Sequence, residues 1–245
     1  MLFKKGRRHL LRYDYFLFGD VDTRDYQVGI YGDQLAAVPE RDITKISVPG
    51  KNGDLTIDNG RYKNITVPYK AYIINNYKAN IRGLRNALLS QIGYQRLEDT
   101  VNPEEFRVAR ALPFEVDEVG ILRAGEFKLE FDCKPQRFLK SGEQTIEVTG
   151  STTIHNEHMP SKPLIRAYGT GSFSIAGITV RITSASSYTD IDCDLEECYK
   201  GTLATNCNGN VVLSNGKFPI LKNGENAIAL SGITKLEIIP RWWIL

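Results

Sequence analysis

Phe127-Lys128-Leu129-Glu130-Phe131-Asp132-Cys133-Lys134-Pro135 is the stretch on which the reading of the fold turns. Phe127, Leu129, Phe131 and Cys133 alternate with Lys128, Glu130 and Asp132. An extended chain therefore carries its apolar set on one face and its charges on the other. That is the pattern of an antiparallel strand packed on a core by one side and wetted on the other. Pro135 lacks the N–H for the next ladder bond, which predicts that the strand ends at Lys134-Pro135. The mostly polar run Gln136 to Glu143 then reads as a boundary, dividing the chain into 1–138 and 139–245.

Upstream, Tyr15-Phe16-Leu17-Phe18 predicts a first strand closed by Gly19-Asp20, and Gln27 to Tyr31 a second closed by Gly32-Asp33. A strand through Ile43 to Val48 meets Pro49-Gly50, the signature of a type II turn, and Leu55 to Ile57 returns from it. Two reversals packed so closely predict a projecting hairpin or loop. Asn59-Gly60 reads as a third turn. It leads into a long strand with Ile65, Val67, Tyr69, Ala71 and Ile73 on one face, in which Pro68 marks a sheet edge or a bulge. The period then changes. Tyr77, Ile81, Leu84, Leu88 and Ile92 recur at spacings of three and four, predicting an amphipathic helix ended by Gly93. Gly83 inside it costs about 1 kcal/mol relative to Ala, so burial of the apolar stripe must hold the helix. A further strand is expected around Phe106 to Ala111.

Downstream of the boundary no run has helical period. Strands are predicted at Thr145 to Val148, Leu164 to Tyr168, Ser172 to Ile175, Ile178 to Ile182, Asp190 to Cys193, Val211 to Leu213, Ala227 to Leu230 and Lys235 to Ile239. Gly169-Thr170-Gly171, Asn208-Gly209, Asn215-Gly216, Asn223-Gly224 and Ser231-Gly232 separate many of them. The expected fold class is mainly β: an α+β N-terminal domain with one amphipathic helix, and an antiparallel β-sandwich C-terminal domain.

At 245 residues, with 42% hydrophobic and 24% charged, the chain has the composition of globular domains with real cores. A formal charge of +2 supplies no reason to expect nucleic acid or an acidic membrane as the main partner. The basic start Lys4-Lys5-Gly6-Arg7-Arg8 reads as a solvated end, and Arg12 and Asp14 break the apolar run that a signal peptide needs. No stretch approaches the roughly 18 apolar residues of a membrane helix, so a soluble protein is expected. Cys133, Cys193, Cys198 and Cys207 lack zinc-ribbon spacing and are expected as free thiols, Cys133 and Cys193 buried.

No group of residues carries a catalytic pattern. Asp190, Asp192 and Asp194 alternate, which would place three carboxylates on one strand face, and an acid pair for glycoside hydrolysis is one reading of them. A half-exposed strand explains them better, and Leu195 and Gly201 occupy the sixth and twelfth positions where a calcium loop needs glycine and an acid. His155 and His158, with Asn156 and Glu157, lie in a stretch that Pro160 and Pro163 make a loop, which argues against zinc. The chain has no nucleophile elbow and no phosphate-binding glycine loop. Catalytic, cofactor-binding and metal residues are all expected to be absent. Trp242 and Trp243 beside Arg241 are of the types enriched at binding hot spots, and at least one ring is expected to pack into its own core.

Several motifs recur in a familiar order. Ile46-Ser47-Val48-Pro49-Gly50-Lys51-Asn52-Gly53-Asp54 is followed by Asn59-Gly60-Arg61-Tyr62, the helix, Gly93-Tyr94-Gln95-Arg96-Leu97, and Phe131-Asp132-Cys133-Lys134-Pro135. This order resembles the N-terminal domain of the distal tail protein (Dit) family of long-tailed, non-contractile phages. Pro163-Leu164-Ile165, Gly169-Thr170-Gly171, Ile191-Asp192-Cys193, Gly216-Lys217-Phe218-Pro219 with Leu221, and Asn223-Gly224-Glu225-Asn226 are similar to that family's galectin-like C-terminal domain. Residues 1 to 14 match least.

The resemblance implies a structural protein of the virion tail tip, made in the host cytoplasm and not an enzyme. It implies a homo-oligomer in which 1–138 forms a hexameric ring, two rings back to back being a further form. The ring would join the tail tube protein to tail-associated or receptor-binding proteins and leave a channel through which DNA passes without specific binding. No cofactor and no membrane are implied. The Val48 to Ile57 passage is a candidate for the contact with the neighbouring subunit. A carbohydrate-binding module is the alternative, for which the second half offers no obvious set of aromatic and polar side chains outside the terminal Trp pair.

Overall fold

The computed structural model describes residues 13–32, 38–114 and 125–245, and the chain divides into two compact units between Pro135 and Gln136. The basic start Lys4 to Arg8 and Asp33 of the second turn lie outside the described residues. The mainly β expectation holds: apart from 3-10 turns, one α-helix accompanies the strands of the described residues.

In the first unit the strands are β1 (Phe16–Phe18), β2 (Val21–Asp22), β3 (Val28–Ile30), β4 (Arg41–Ile46), β5 (Leu55–Tyr62) and β6 (Ile65–Ile73), then helix α1 (Tyr77–Ser90), β7 (Gln95–Asp99), β8 (Glu105–Ala111) and β9 (Glu126–Leu139). One sheet runs β2-β1-β7-β8-β9-β6-β3 and curls until Asp14, just before β1, bridges Ile30 of β3. The predicted alternations hold. Ile65, Val67, Tyr69 and Ala71 of β6 and Leu129, Phe131 and Cys133 of β9 point inward, with Val67 opposite Phe131 and Tyr69 opposite Leu129. Phe131 meets Phe16, Phe18 and Tyr69 at ring-centroid distances of 5.4, 5.1 and 5.6 Å. The Tyr69 hydroxyl, deep in this cluster, donates to Asp99 Oδ2 at 2.8 Å, which spares the core an unpaired polar atom.

Helix α1 buries Ile81, Leu84 and Leu88, and Leu84 and Leu88 join the same core. It ends at Ser90, earlier than the apolar spacing suggests. Gln91 is extended, Gly93 turns left-handed two residues later, and Ile92 is 90% exposed, off the buried stripe. Gly83 has a packing reason. A Cβ there would lie 2.9 Å from the Tyr26 ring, so the glycine lets the ring lie on the helix.

The two prolines fall where the ladder asks nothing of them. The Leu112 amide donates to the Glu130 carbonyl at 2.9 Å, so even-numbered residues of β9 address β8 and odd-numbered ones address β6. Pro68 is paired with Glu130, so its nitrogen faces the β3 side, but β3 reaches only Ala71 to Ile73. Pro135 faces the β6 side beyond the last pair, Ile65 with Cys133. The expected stop at Lys134-Pro135 is therefore wrong: β9 continues extended to Leu139. The polar boundary run is structured too, being the end of β9 and a 3-10 turn at Lys140–Glu143.

The second unit holds β10 (Ile146–Val148), β11 (Thr152–Asn156), β12 (Leu164–Tyr168), β13 (Gly171–Ile175), β14 (Ile178–Ile182), β15 (Tyr188–Asp192), β16 (Glu197–Lys200), β17 (Thr202–Asn206), β18 (Val211–Leu213), β19 (Gly224–Ser231), β20 (Lys235–Ile239) and β21 (Trp243–Ile244). A six-stranded sheet, β10-β20-β12-β15-β16-β17, and a five-stranded sheet, β11-β19-β13-β14-β18, share one core. Ile165, Ala167, Ile191, Leu236 and Ile238 come from the first, and Phe173, Ile175, Val180, Ile182 and Ile228 from the second. This is the expected antiparallel sandwich. β2, β7, β11, β16, β17 and β21 were not anticipated. β21 pairs Trp243 with Phe138 and Ile244 with Arg137, and the Trp243 indole donates to the Pro160 carbonyl at 2.9 Å, while Trp242 packs against the sandwich core. All four cysteines are free, and Cys133, Cys193 and Cys198 are buried, where loss of solvation raises their thiol pKa values.

Gly142 is buried where the backbone of Trp242 crosses it, and a Cβ would lie 2.2 Å from the Trp242 amide nitrogen. Gly142→Ala is expected to destabilise the second unit by about 3 kcal/mol. Both tryptophans of the chain, Trp242 and Trp243, lie in this unit, so denaturation followed by tryptophan fluorescence reads the loss directly.

Candidate assembly surfaces

Among the described residues of the first unit, the hairpin β4–β5 contributes nothing to the buried core. It forms its own two-stranded sheet, with Ile46 opposite Leu55 and Thr44 opposite Ile57. Opposed residues share a face, so Ile46, Leu55 and Ile57 make one apolar stripe, and they are 43, 45 and 52% exposed. Ile43, on the other face, is exposed as well. The tip is the expected turn: the Lys51 amide donates to the Val48 carbonyl at 3.1 Å and Gly50 takes φ 78°. Asn59-Gly60, however, is not a turn. It lies inside β5 as a bulge, where the register shifts between Arg41 and Ile43, Gly60 takes φ 75°, and its amide donates to Asp58 Oδ1 at 2.8 Å.

Charges lock this bulged base. Arg41 lies 2.8 Å from Asp58, Arg61 2.7 Å from Asp42, and Lys63 3.5 Å from Glu40, all between the two arms. The Arg41 hydrogen bond, seconded by the Gly60 amide, holds the Asp58 carboxyl below its ordinary range, and Arg61 does the same for Asp42. A two-stranded hairpin alone in water is marginal at best. Here exposed ion pairs bridge the arms, the apolar stripe is about half exposed, and among the described residues β4 and β5 pair only with each other. That combination is a template for another chain.

On the outward face of the six-stranded sheet the strand register builds two rows that the sequence did not disclose. Glu147, Glu237, Arg166, Asp190 and Tyr199 lie across the strands in one row, and Lys235, Tyr168 and Tyr188 in the next. The Tyr168 and Tyr188 rings are 5.8 Å apart. Arg166 sits 4.2 Å over Tyr188 and Lys235 4.6 Å over Tyr168, and the Tyr168 hydroxyl bonds Glu237 at 3.0 Å. The sequence reading found no aromatic and polar set in this half, because Tyr168 and Tyr188 are neighbours only through the pairing of β12 with β15.

The alternating aspartates do not form a half-exposed strand. Asp190 and Asp192 are both 2% exposed, while Asp194 lies beyond the strand in a solvent-facing turn. Asp190 receives Arg166 at 2.7 and 3.1 Å and the Gly201 amide at 2.9 Å. Asp192 receives Arg241 at 2.7 and 2.8 Å and the amides of Asp194 and Leu195 at 3.0 and 3.1 Å. Each carboxylate is spent on a guanidinium and on backbone, which leaves no acid pair facing a substrate. His155 stands on β11 rather than on a loop, opposite Glu225, and His158 faces Trp242 at 6.4 Å. Among the described residues no three His, Cys, Asp or Glu side chains are grouped to hold a metal, and no helix is long and apolar enough to cross a membrane.

A known structure has a similar fold. The crystal structure of phage SPP1 Dit (gp 19.1), described as a paradigm of the hub adsorption apparatus in Gram-positive infecting phages, superposes with a TM-score of 0.67. It covers 93% of this chain and 98% of its own, at 14% identity. The chain has the fold of SPP1 Dit. Two structures of the phage P2 baseplate in its activated conformation, with Ca and with Sr, are similar over 92% of this chain and 96% of theirs, at 12% identity and TM-scores of 0.49 and 0.48. No family model matches the chain, and no curated protein matches it in sequence.

Asp192 is clamped between Arg241 and two backbone amides. Burial raises its carboxyl pKa, but the Arg241 guanidinium and the two backbone amides outweigh burial and bring it below the ordinary carboxylate value. The folded-state pKa is thus the lower one, so the stabilisation is complete above the unfolded value of about 4 and is lost as pH falls through the folded value. Asp192→Asn is expected to cost about 3 kcal/mol at neutral pH, because Arg241 loses its anion. The gap between the two proteins should close in acid, as measured by urea denaturation between neutral and acid pH.

Proposed function

We propose that this protein is a structural phage distal tail protein whose copies close into a hexameric ring, the hub of the tail tip. In this reading residues 1–138 form the ring and 139–245 form a galectin-like domain beside it. The ring joins the tail tube protein to tail-associated or receptor-binding proteins, with two rings back to back as a further form, and leaves a channel through which DNA passes without specific binding. The protein works in the virion, is made in the host cytoplasm, and catalyses nothing.

One observation carries the reading. The fold of SPP1 Dit runs through both units of the chain, and that protein is described as a paradigm of the hub adsorption apparatus. Physical economy supports it. A ring needs heterologous contacts, one surface of a subunit meeting a different surface of the next. The β4–β5 hairpin offers such a surface: Ile46, Leu55 and Ile57 are each about half exposed, and covering them adds on the order of 1 kcal/mol apiece to every contact. The buried aspartates support a non-catalytic role, since both are already paired.

The outward tyrosine rows favour a second reading, a carbohydrate-binding module, because sugars stack on aromatic rings beside polar groups. Arg166 and Lys235 already lie over those two rings, which counts against it. A glycan array is expected to show no binding, and a specific sugar lost on Tyr188→Ala would establish the second reading.

Native mass spectrometry and negative-stain microscopy of the full chain are expected to show a closed ring with an open centre. Leu55→Asp combined with Ile57→Asp should leave circular dichroism unchanged and yield monomers, and deletion of Lys51 to Asp54 should also weaken assembly. A wild-type protein that stays monomeric at high concentration, or unaltered rings in both variants, would sink the proposal.

A further inference from the structure

The second unit contains a cleft of about 450 Å³, a size typical of ligand sites, at one end of the sandwich. Ile178, Cys193, Phe218 and Ile220 make its apolar surface, and three lysines, Lys162, Lys217 and Lys222, stand on it against one glutamate, Glu196. Lys162 lies 3.4 Å from Glu196. Lys217 and Lys222 are exposed, and among the described residues neither side chain has an acidic partner. Ile220 is 39% exposed, and Leu195, next to Glu196, is 53% exposed.

The walls of the cleft are fixed before anything binds. Asp192 bonds the amides of Asp194 and Leu195, which sets the turn that carries Glu196, and Glu196 itself is held at φ 57°, rare for a residue with a side chain. Ser161 and Leu221 exchange backbone hydrogen bonds of 3.0 Å, which tie the Lys162 segment to the Ile220 segment. Buried Asn226 accepts from the Lys222 amide at 2.7 Å and donates to its carbonyl at 2.8 Å. A cleft built this way loses little freedom on binding.

We infer that this cleft docks an acidic segment of a partner protein, one that presents an aromatic or branched aliphatic side chain between carboxylates. The apolar side chain would fill the space over Phe218 and Ile220. The flanking carboxylates would meet Lys217 and Lys222, and a third would take Lys162 from Glu196, which holds the place of an incoming anion. Charge complementarity selects the occupant: the lysines reject a basic segment, and the apolar floor gives no gain to an acid that lacks a side chain to bury. The inference rests on the cleft alone and is independent of ring closure, which is measured separately.

The test uses the full chain with isoleucine methyl labelling and three capped heptapeptides. One has phenylalanine flanked by acidic residues, one has serine in its place, and one keeps phenylalanine between lysines. The acidic phenylalanine peptide should shift the Ile178 and Ile220 methyl signals and bind at least about tenfold more tightly than either control, with affinity falling as salt rises. Lys217→Glu with Lys222→Glu should weaken it by about tenfold or more while tryptophan-monitored unfolding stays unchanged, and Glu196→Gln should strengthen it. Equal binding of all three peptides, no binding of any, or stronger competition by a short DNA duplex than by the peptide would overturn the inference.

Discussion

The pairing of β6 with β9 is the constraint on which the first unit depends. Ile65 to Tyr72 run opposite Cys133 to Glu126, and on that register the inward residues of both strands meet Phe16, Phe18 and the helix. Side chains alternate with period two, so a slip of one residue would turn Lys128, Glu130 and Asp132 into the core and Phe127, Leu129 and Phe131 out of it. The register therefore has no near competitor. It also sets where β5 ends and β6 begins, and so where the hairpin springs from the sheet.

That hairpin is the complement of the core. The strands of the curled sheet supply the buried core, while among the described residues β4 and β5 pair only with each other. The ion pairs at its base bridge the two arms without covering its apolar stripe. The aliphatic side chains of this ribbon stay about half in water, so covering them on another surface would be favourable. In the proposed ring each copy would both offer its hairpin and receive a neighbour's.

In the second unit the two buried carboxylates set geometry more than they add stability. A buried ion pair roughly cancels its own desolvation, but removing one partner leaves the other charge stranded. Asp190 and Asp192 thereby tie β15 to Arg166 on β12, to Gly201, and to Arg241 just before the last strand. The turn that follows Asp192 inherits its conformation from that clamp, and the mouth of the lysine cleft inherits its shape from the turn.

Much of this architecture was legible along the chain, where local period and burial agree. The alternations at 65–73 and 127–133, the helical spacing from Tyr77 to Leu88, the Pro49-Gly50 turn and eight strands of the sandwich all follow from which side of an element must be dry. The misreadings share another cause. Pro135, Asn59-Gly60, the His155 stretch and the Asp190 series were judged by local propensity. Their outcome depended on what lay beside them: an ended ladder for Pro135, a partner strand for the bulge, a sheet edge for β11, and guanidiniums from Arg166 and Arg241 for the aspartates. For the long periodic segments the sequence by itself determined the kind of element and its inward face, because those depend on spacing within one segment. Only the tertiary structure decided which tyrosines meet, which charges are buried and which lysines gather around an apolar cleft, because those distances are set by residues far apart in the chain.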